Sequence, residues 1–289
     1  MISKEHFFSL LAEKPLLLDG ATGSNLMKAG MPRGCCTEEW ILANPQALVS
    51  LQRQYVAAGS RVIYAPTFQA QPIALERVGL QNHTEAINAH LTALSKSVDS
   101  HVLVAGNLTT LAMYTDSWDS ANFDLLVDNY RRQIKGLIDG GADLLAAETL
   151  MYPLEAEAIL TAAELEGATC CLYTFTMQSD GSLFSGMDAG PVLKSLEDAG
   201  AAAVGFNCVA ADNLTAGLVS KLRRYVRCPL ICKPNAGIPT IGEDMIPHYP
   251  MTSAEFAAVM GDCRQMGASI LGGCCGTDPT FIAQLQTIA

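Results

Sequence analysis

The chain has 289 residues, with 18 basic and 29 acidic side chains and a net charge of −11. Hydrophobic residues make up 49% of it and charged residues only 16%, which supports a large buried core and argues against disorder. The acidic balance disfavours nucleic acid and anionic membranes as partners, because phosphate contacts need clustered Lys and Arg. No apolar run approaches the roughly 20 residues that span a bilayer, and the stretch at residues 7–12 is too short for a secretory signal. We therefore expect a cytoplasmic protein.

Short apolar runs alternate with longer amphipathic segments along the chain. Strands are predicted at residues 15–19, 61–67, 101–106, 143–148, 169–176, 202–207, 229–234 and 268–272. Most are almost continuously apolar, as strands buried on both faces are. Helices are predicted at 45–58, 127–138, 212–227 and 252–266, the last with Thr252 as N-cap and Glu255 three residues later. Residues 110–120 and 238–251 are predicted to be longer loops.

Eight strands that alternate with helical segments predict an α/β fold, a single-domain (β/α)8 TIM barrel. The domain covers residues 1–289, and the barrel proper begins at about residue 15. A doubly wound sheet is the alternative. Neither a G-x-G-x-x-G turn nor a Walker A loop follows the first strand, so neither motif predicts a nucleotide site.

Polar residues capable of chemistry end nearly every predicted strand. In a TIM barrel these ends meet at one face, where the active site lies. The alternative is that polar residues simply terminate strands, which explains Thr67 and Asn107 well. It explains less well a barrel mouth with two carboxylates and three thiols. The strand-end residues are Asp19, Thr67, Asn107, Glu148, Thr176, Asn207, Cys208, Asn235, Cys274 and Cys275.

Ten cysteines in a chain without a secretory signal predict reduced thiols, most of them in packing roles. Cys208, Cys274 and Cys275 differ because they follow the sixth and eighth predicted strands. Neighbouring residues of a regular strand point to opposite faces, so both adjacent thiols can bind one ion only where the backbone is irregular. The glycines around them permit that irregularity. Three thiolates from distant strands suit a catalytic Zn²⁺ with an open fourth position; the alternative is a glycine-rich loop with two packed thiols.

Two carboxylates complete the candidate site. Asp19 begins the glycine-rich turn of residues 19–24, whose backbone N–H groups could approach an anion, although a tight turn with an Asp cap explains it equally well. Glu148 ends an apolar strand, where a carboxylate is costly unless it meets a cation or a donor. Together they could hold an ammonium group, or they could be solvated strand ends. The five His residues match no catalytic pattern and are expected on the surface or in packing roles.

Five motifs in a fixed order carry a resemblance to a known family. The chain is similar to the homocysteine S-methyltransferases from about residue 15 to its end, and most of all to the homocysteine-binding barrel of cobalamin-dependent methionine synthase. The Gly-Gly-Cys-Cys-Gly signature, with Asn-Cys some 66 residues earlier, is the most specific part. The motifs are Leu18-Asp19-Gly20-Ala21-Thr22-Gly23, Glu148-Thr149, Gly205-Phe206-Asn207-Cys208, Lys233-Pro234-Asn235-Ala236-Gly237 and Gly272-Gly273-Cys274-Cys275-Gly276-Thr277.

The resemblance implies a role for each matching residue. Cys208, Cys274 and Cys275 would bind Zn²⁺, and the homocysteine thiol would take the open position, ionise there and attack an activated methyl group. Asp19 and Glu148 would hold the substrate ammonium, and Asn207 is expected to contact the substrate. Asn235 is expected to fill the fourth zinc position before substrate arrives. The backbone of Gly20, Ala21, Thr22 and Gly23 would receive the substrate carboxylate.

The methyl donor is expected to be methylcobalamin on a corrinoid partner protein or domain. The chain would then be a separate methyltransferase or the N-terminal module of a larger protein. It departs from the family around the mouth, at residues 65–68, at 106–110 and at Leu150, so S-methylmethionine, S-adenosylmethionine and betaine remain as donors. A quaternary ammonium donor favours an aromatic cage, and the only tryptophans are Trp40 and Trp118. Two other functions stay open: a zinc-thiolate protein that binds homocysteine or senses metal or oxidant, and a barrel without metal.

Overall fold

A computed structural model describes residues 1–12, 14–114, 122–242 and 247–289. Its eight-stranded sheet consists of β1 (Leu16–Leu17), β2 (Val62–Tyr64), β3 (Leu103–Thr109), β4 (Leu144–Leu150), β5 (Cys171–Phe175), β6 (Ala203–Ala210), β7 (Leu230–Asn235) and β10 (Ile270–Leu271). All pairings are parallel, in the order β1-β10-β7-β6-β5-β4-β3-β2. The prediction of a (β/α)8 barrel is confirmed.

Helices surround this sheet. They are α1 (Lys4–Ser9), α2 (Gly23–Lys28), α3 (Thr37–Ala43), α4 (Pro45–Ala57), α5 (Pro72–Leu75), α6 (Thr84–Lys96), α7 (Phe123–Asp139), α8 (Pro153–Leu165), α9 (Ala189–Asp198), α10 (Thr215–Arg223), α11 (Ser253–Gln265) and α12 (Pro279–Gln286), with 3₁₀ turns at Glu76–Val78 and Gln81–His83. The predicted capping box of α11 is present, with Thr252 N bonded to Glu255 and Glu255 N to Thr252. Within the described part of the chain, no helix is long and apolar enough to cross a membrane.

The two predicted loops have different outcomes. Within residues 238–251, β8 (Thr240–Ile241) and β9 (Pro247–His248) form a short antiparallel pair, so this segment is not wholly loop as predicted. Residues 243–246 between them lie outside the described part. Of the predicted loop 110–120, residues 115–120 also lie outside it. Trp118 is among them.

The barrel closes between β1 and β2 with few backbone bonds, because β1 is only two residues long. Arg61 N donates to Leu17 O over 2.8 Å. Higher in the same seam a side chain continues the pairing, since Tyr64 N donates to Oδ2 of Asp19 over 2.8 Å. Asp19 is therefore part of the closure of the barrel as well as a residue of its mouth.

The inward-facing side chains of the strands are apolar inside the barrel and polar at its mouth. Inside the barrel, Leu144 and Ala146 of β4 and Ile231 of β7 pack with Phe7 of α1 near the amino ends of the strands. Since strand side chains repeat every two residues, the next inward positions on these two strands are Glu148 and Lys233. Both are buried. The polar layer of the mouth thus rests directly on the apolar interior.

Gly136 lets α6 and α7 pack backbone to backbone. A Cβ at this helical position would lie 2.4 Å from Glu85 O, a backbone atom that cannot move away without shifting α6. Gly217 in α10 is a matched control, because a Cβ there meets nothing within 4 Å. Both glycines lie inside helices, so the difference between them isolates the contact.

We expect Gly136→Ala to lower the free energy of unfolding by about 1–3 kcal/mol, since the added methyl must push the helices apart. Gly217→Ala should leave it unchanged or raise it by up to about 1 kcal/mol, through helix propensity alone. Urea unfolding followed by circular dichroism measures both. Equal effects of the two substitutions would contradict the packing described here.

Candidate metal and thiol-binding site

A cavity of about 450 Å³ opens at the carboxyl ends of the strands. The sequence-predicted residues Asp19–Gly23, Glu148, Cys208, Cys274 and Cys275 all line it. Asn207 and Asn235 do not: they are 0% and 9% exposed and are hydrogen bonded to lining residues, Thr149 and Cys275. The structure therefore brings the predicted thiols and carboxylates together and gives the two amides a different place.

The three predicted thiols converge on one point. Their sulfur atoms all lie within 4.8 Å of one another, and Cys208 Sγ is 3.9 Å from Cys275 Sγ. Two sulfurs bound to one tetrahedral zinc at about 2.3 Å would be about 3.8 Å apart. All ten cysteines are free thiols. Spacing and donor chemistry thus both fit a Zn²⁺ ion held by these three residues.

The ionisation of the three thiols is coupled, because their sulfur atoms lie close together. Hydrogen bonds with Cys274 and Cys275, together with burial, raise the pKa of the Cys208 thiol well above its usual value. Hydrogen bonds with Cys208 and Cys274 lower the pKa of the Cys275 thiol. Three adjacent thiols cannot all ionise without a compensating charge, because each thiolate opposes the next. A divalent cation would remove that opposition.

Irregular backbone brings the thiols to the same side. Cys208 has a φ of 58°, and the pairing of β6 with β7 shifts register between Asn207 and Ala210. In a regular strand Cys208 would point away from the side on which Asn207 lies. The sequence placed the necessary irregularity at the glycines around Cys274 and Cys275, but the structure has it at Cys208 as well, a non-glycine residue. No glycine marks that position in the sequence.

Hydrogen bonds fasten the Cys274–Cys275 segment to β7. Cys274 N donates to Pro234 O over 2.8 Å, and Cys275 O accepts from Ala236 N over 2.9 Å. Oδ1 of Asn235 accepts from Cys275 N over 3.0 Å. This contact gives Asn235 a role in holding the thiol segment. Its role as a fourth zinc ligand stays a prediction.

Asn207 holds a second left-handed residue, Thr149, whose φ is 59°. Its Oδ1 accepts from Thr149 N over 2.7 Å, and its Nδ2 donates to Thr149 Oγ1 over 2.7 Å. The same amide lies 3.4 Å from Glu148 Oε2 and 3.8 Å from Cys274 Sγ. A β-branched residue in this conformation is strained and needs such support. Asn207 therefore positions its neighbours, and the predicted substrate contact stays a prediction.

The glycine-rich turn after Asp19 is tied to the thiol segment through Thr277. Oγ1 of Thr277 accepts from Ala21 N over 3.2 Å and donates to Cys274 O over 2.7 Å. A Cβ at Gly20 would lie 2.8 Å from both Thr277 Oγ1 and Tyr55 Oη, so the close approach requires glycine. Of the backbone donors predicted for a carboxylate, the N–H of Ala21 is thus already bonded.

The two carboxylates differ in their surroundings. Asp19 is 1% exposed, and its Oδ1 has no hydrogen-bond partner among the described residues. Burial raises the pKa of the Asp19 carboxyl to about 7, against the opposing effects of Lys233 and of Tyr64 N–H. Glu148 instead accepts from Asn107 Nδ2 over 2.9 Å and forms an ion pair with Lys233 over 3.0 Å.

Sequence reasoning missed several residues of this site. Lys233 has no role in the sequence-based prediction, although a single Lys in the apolar run 229–234 indicates a buried partner. Glu38 of α3 is 2% exposed and lines the cavity, with Oε1 accepting from Gln69 N over 2.8 Å. Tyr249 packs over Gly276 and hydrogen bonds to Cys275. Neither Glu38 nor Tyr249 stands in a recognisable pattern.

The fold and the cluster of three thiols beside buried acids define a class of protein, the TIM barrels with a three-thiol site at the carboxyl ends of their strands. The family model for homocysteine S-methyltransferase matches residues 16–289. The chain belongs to the homocysteine S-methyltransferase family, and the resemblance noted in its motifs is confirmed.

Known relatives agree with this assignment. Methionine synthase of Mycobacterium tuberculosis is 26% identical over 295 residues, which is 96% of this chain and 25% of that protein. The enzyme of the same name from Mycobacterium leprae is 26% identical over 294 residues, with 95% and 24% covered. The chain thus spans about a quarter of these relatives. The metallated form of homocysteine methyltransferase MmuM from Escherichia coli has the same fold, with a TM-score of 0.83, 24% identity and 98% and 99% of the two chains covered.

Loss of the Asn207 side chain should expose the strain at Thr149. We expect Asn207→Ala to lower the free energy of unfolding by about 1–3 kcal/mol, because the Thr149 N–H and the hydroxyls of Thr149 and Thr174 lose their partner. Thr149→Gly in the Asn207→Ala protein should restore part of this loss, since glycine adopts a positive φ without support. Thermal unfolding of both proteins measures the difference. No recovery with glycine would contradict the clamping role of Asn207.

Proposed function

We propose that this barrel transfers a methyl group to the thiol of homocysteine and so forms methionine. The observation that supports it most is the three-thiol cluster in one cavity with a buried carboxylate oxygen that has no partner. A cavity of about 450 Å³ beside the cluster leaves room for an amino-acid thiol. Family membership and relatives named methionine synthase support the same reaction.

Cys208, Cys274 and Cys275 would hold the Zn²⁺ ion of this site. When bound, zinc would supply the positive charge that keeps a substrate thiol ionised at neutral pH, where a free thiol with a pKa near ~8.5 is mostly protonated. Asn235 and Thr277 hold the segment that carries two of the ligands. The chain thereby fixes the thiols in place before a substrate enters.

The remaining residues would orient homocysteine. Oδ1 of Asp19 would accept from its ammonium group, with Glu148 on the same side of the cavity. The backbone of Gly20, Thr22 and Gly23 would receive its carboxylate. Tyr64, Ala65, Pro66 and Phe68 form an apolar wall that keeps water away from the sulfur. The sulfur then forms a bond to the methyl carbon, and the bond between that carbon and the donor breaks, with its electron pair leaving on the donor.

Methylcobalamin, carried by a corrinoid partner or domain, is the methyl donor we propose. The relatives named methionine synthase are about four times as long as this chain, which leaves room in them for further domains. S-methylmethionine, S-adenosylmethionine and betaine are the alternatives. Betaine is the least favoured, because Lys233 Nζ already lies 4.8 Å from the centre of the Tyr64 ring and so uses a face that a quaternary ammonium would need.

Zinc content should depend on each cluster thiol separately. Protein purified under reducing conditions should bind about one zinc per chain. Cys208→Ser, Cys274→Ser and Cys275→Ser should each lose most of the metal and the methionine-forming activity together. Cys35→Ser is the matched control, because Cys35 is exposed and outside the cluster, so it should keep both. Metal analysis of each protein, together with an assay with homocysteine and each donor, measures this. A zinc-free mutant with full activity would contradict the proposed mechanism.

Recognition of the substrate amino group should fail at low pH. The Asp19 carboxyl has a pKa of about 7, so it is ionised above that pH and becomes protonated below it. The affinity for homocysteine relative to 4-mercaptobutanoate, which lacks only the amino group, should be constant above pH 7 and fall roughly tenfold per unit below it. Calorimetric titration at several pH values measures this ratio. In Asp19→Asn the ratio should be low and independent of pH, and a wild-type ratio that stays flat would exclude Asp19 as the partner.

A further inference from the structure

Lys233 is a buried cation inside the mouth of the barrel. It is 4% exposed and lines the cavity, two residues after Ile231 of the apolar interior on the same strand. A buried ammonium group is costly unless it is paired. Nothing in the proposed reaction yet uses this charge.

Glu148 is the partner of Lys233. The ammonium nitrogen lies 3.0 Å from Glu148 Oε2, with both side chains less than a tenth exposed, and the face of Tyr64 covers it at 4.8 Å. The other carboxylate oxygen, Oε1, accepts from Asn107 Nδ2 over 2.9 Å. Both oxygens of Glu148 thus already have donors, and its charge is balanced within the protein. A substrate ammonium here would have to share Glu148 with a cation already in place.

Asp19 faces the same cavity without such a partner. Its Oδ2 accepts from Tyr64 N, but its Oδ1 is buried with no hydrogen bond among the described residues. None of the ion pairs in the described part of the chain includes Asp19. Of the two acids that the sequence motifs single out as ammonium partners, Asp19 is the one whose charge is not balanced by an ion pair.

On the basis of the proposed function, we propose that Lys233 is a specificity-determining residue that neutralises Glu148, so that Asp19 rather than Glu148 selects the amino group of the thiol substrate. The two acids then have unequal roles: Asp19 binds the ammonium group, whereas Glu148 anchors the cation beneath the pocket. When the Lys233 charge is removed, Glu148 should take part in binding the amino group.

Binding of two thiols to the zinc-loaded full chain tests this directly. Homocysteine and 4-mercaptobutanoate share the thiol and the carboxylate, so their affinity ratio, measured by calorimetry at pH 8, reports on the amino group alone. Asp19→Asn should reduce the ratio tenfold or more, and Glu148→Gln less than threefold. In the Lys233→Met background, Glu148→Gln should reduce the ratio tenfold or more. Equal effects of Asp19→Asn and Glu148→Gln in the wild-type background, or an unchanged Glu148→Gln effect after Lys233→Met, would overturn the proposal.

Each single variant at the ion pair leaves one buried charge unpaired and could fail to fold. The double variant Lys233→Met/Glu148→Gln removes both charges, so it serves as the folded reference, and its ratio should stay within threefold of wild type. A tenfold loss in the double variant would overturn the proposal without reference to the single variants.

The same titrations separate this inference from the proposed function. A protein that shows the expected ratios but forms no methionine with any donor would overturn the methyl transfer and leave the role of Lys233 in place. If methionine forms but Asp19→Asn weakens both thiols equally, the inference fails and the function stands. A zinc-loaded wild type that binds no homocysteine overturns both.

Discussion

The buried ion pair between Lys233 and Glu148 is the interaction on which the mouth of the barrel depends. Every second side chain of a strand points into the barrel, and several of those above the apolar interior are polar. A carboxylate in that layer is tolerable only with a cation and donors around it. Lys233, Asn107 and Asn207 supply these to Glu148. With that charge balanced, the remaining acidic groups of the cavity are Asp19, Glu38 and the thiols.

Strained backbone links this polar layer to the thiols. Thr149 and Cys208 are the two non-glycine residues with positive φ in the described chain, and each directly follows an inward-facing polar residue. Asn207 is adjacent to one and hydrogen bonded to the other. Strain of this kind persists only where surrounding contacts enforce it, and it is frequent at functional sites. One buried amide thus couples the acid at the end of β4 to the thiol at the end of β6.

The barrel and the content of its site could be predicted from the sequence, because both follow from periodicity and from motif order. Eight apolar runs match eight strands, and Cys208, Cys274 and Cys275 meet as expected. Boundaries were less exact: β3 extends to Thr109, so Asn107 lies within the strand and faces Glu148. Bounds were predicted for only four of the helices, α4, α7, α10 and α11. The pairing of Lys233 with Glu148 and the engagement of Asn207 and Asn235 could not be predicted, because they depend on register between strands far apart in sequence.

The seam between β1 and β2 has a consequence for observing this protein in solution. A side-chain oxygen of Asp19 takes the place of a backbone acceptor for Tyr64 N–H, so one amide proton rests on the group proposed to bind the substrate. The chemical shift of that amide is therefore an intrinsic spectroscopic probe of Asp19. It changes when the carboxylate gains a proton or a ligand, and it requires no added label at the site. Asp19 serves both the closure of the barrel and the proposed binding of the substrate. The Tyr64 amide at the closure therefore reports directly on binding.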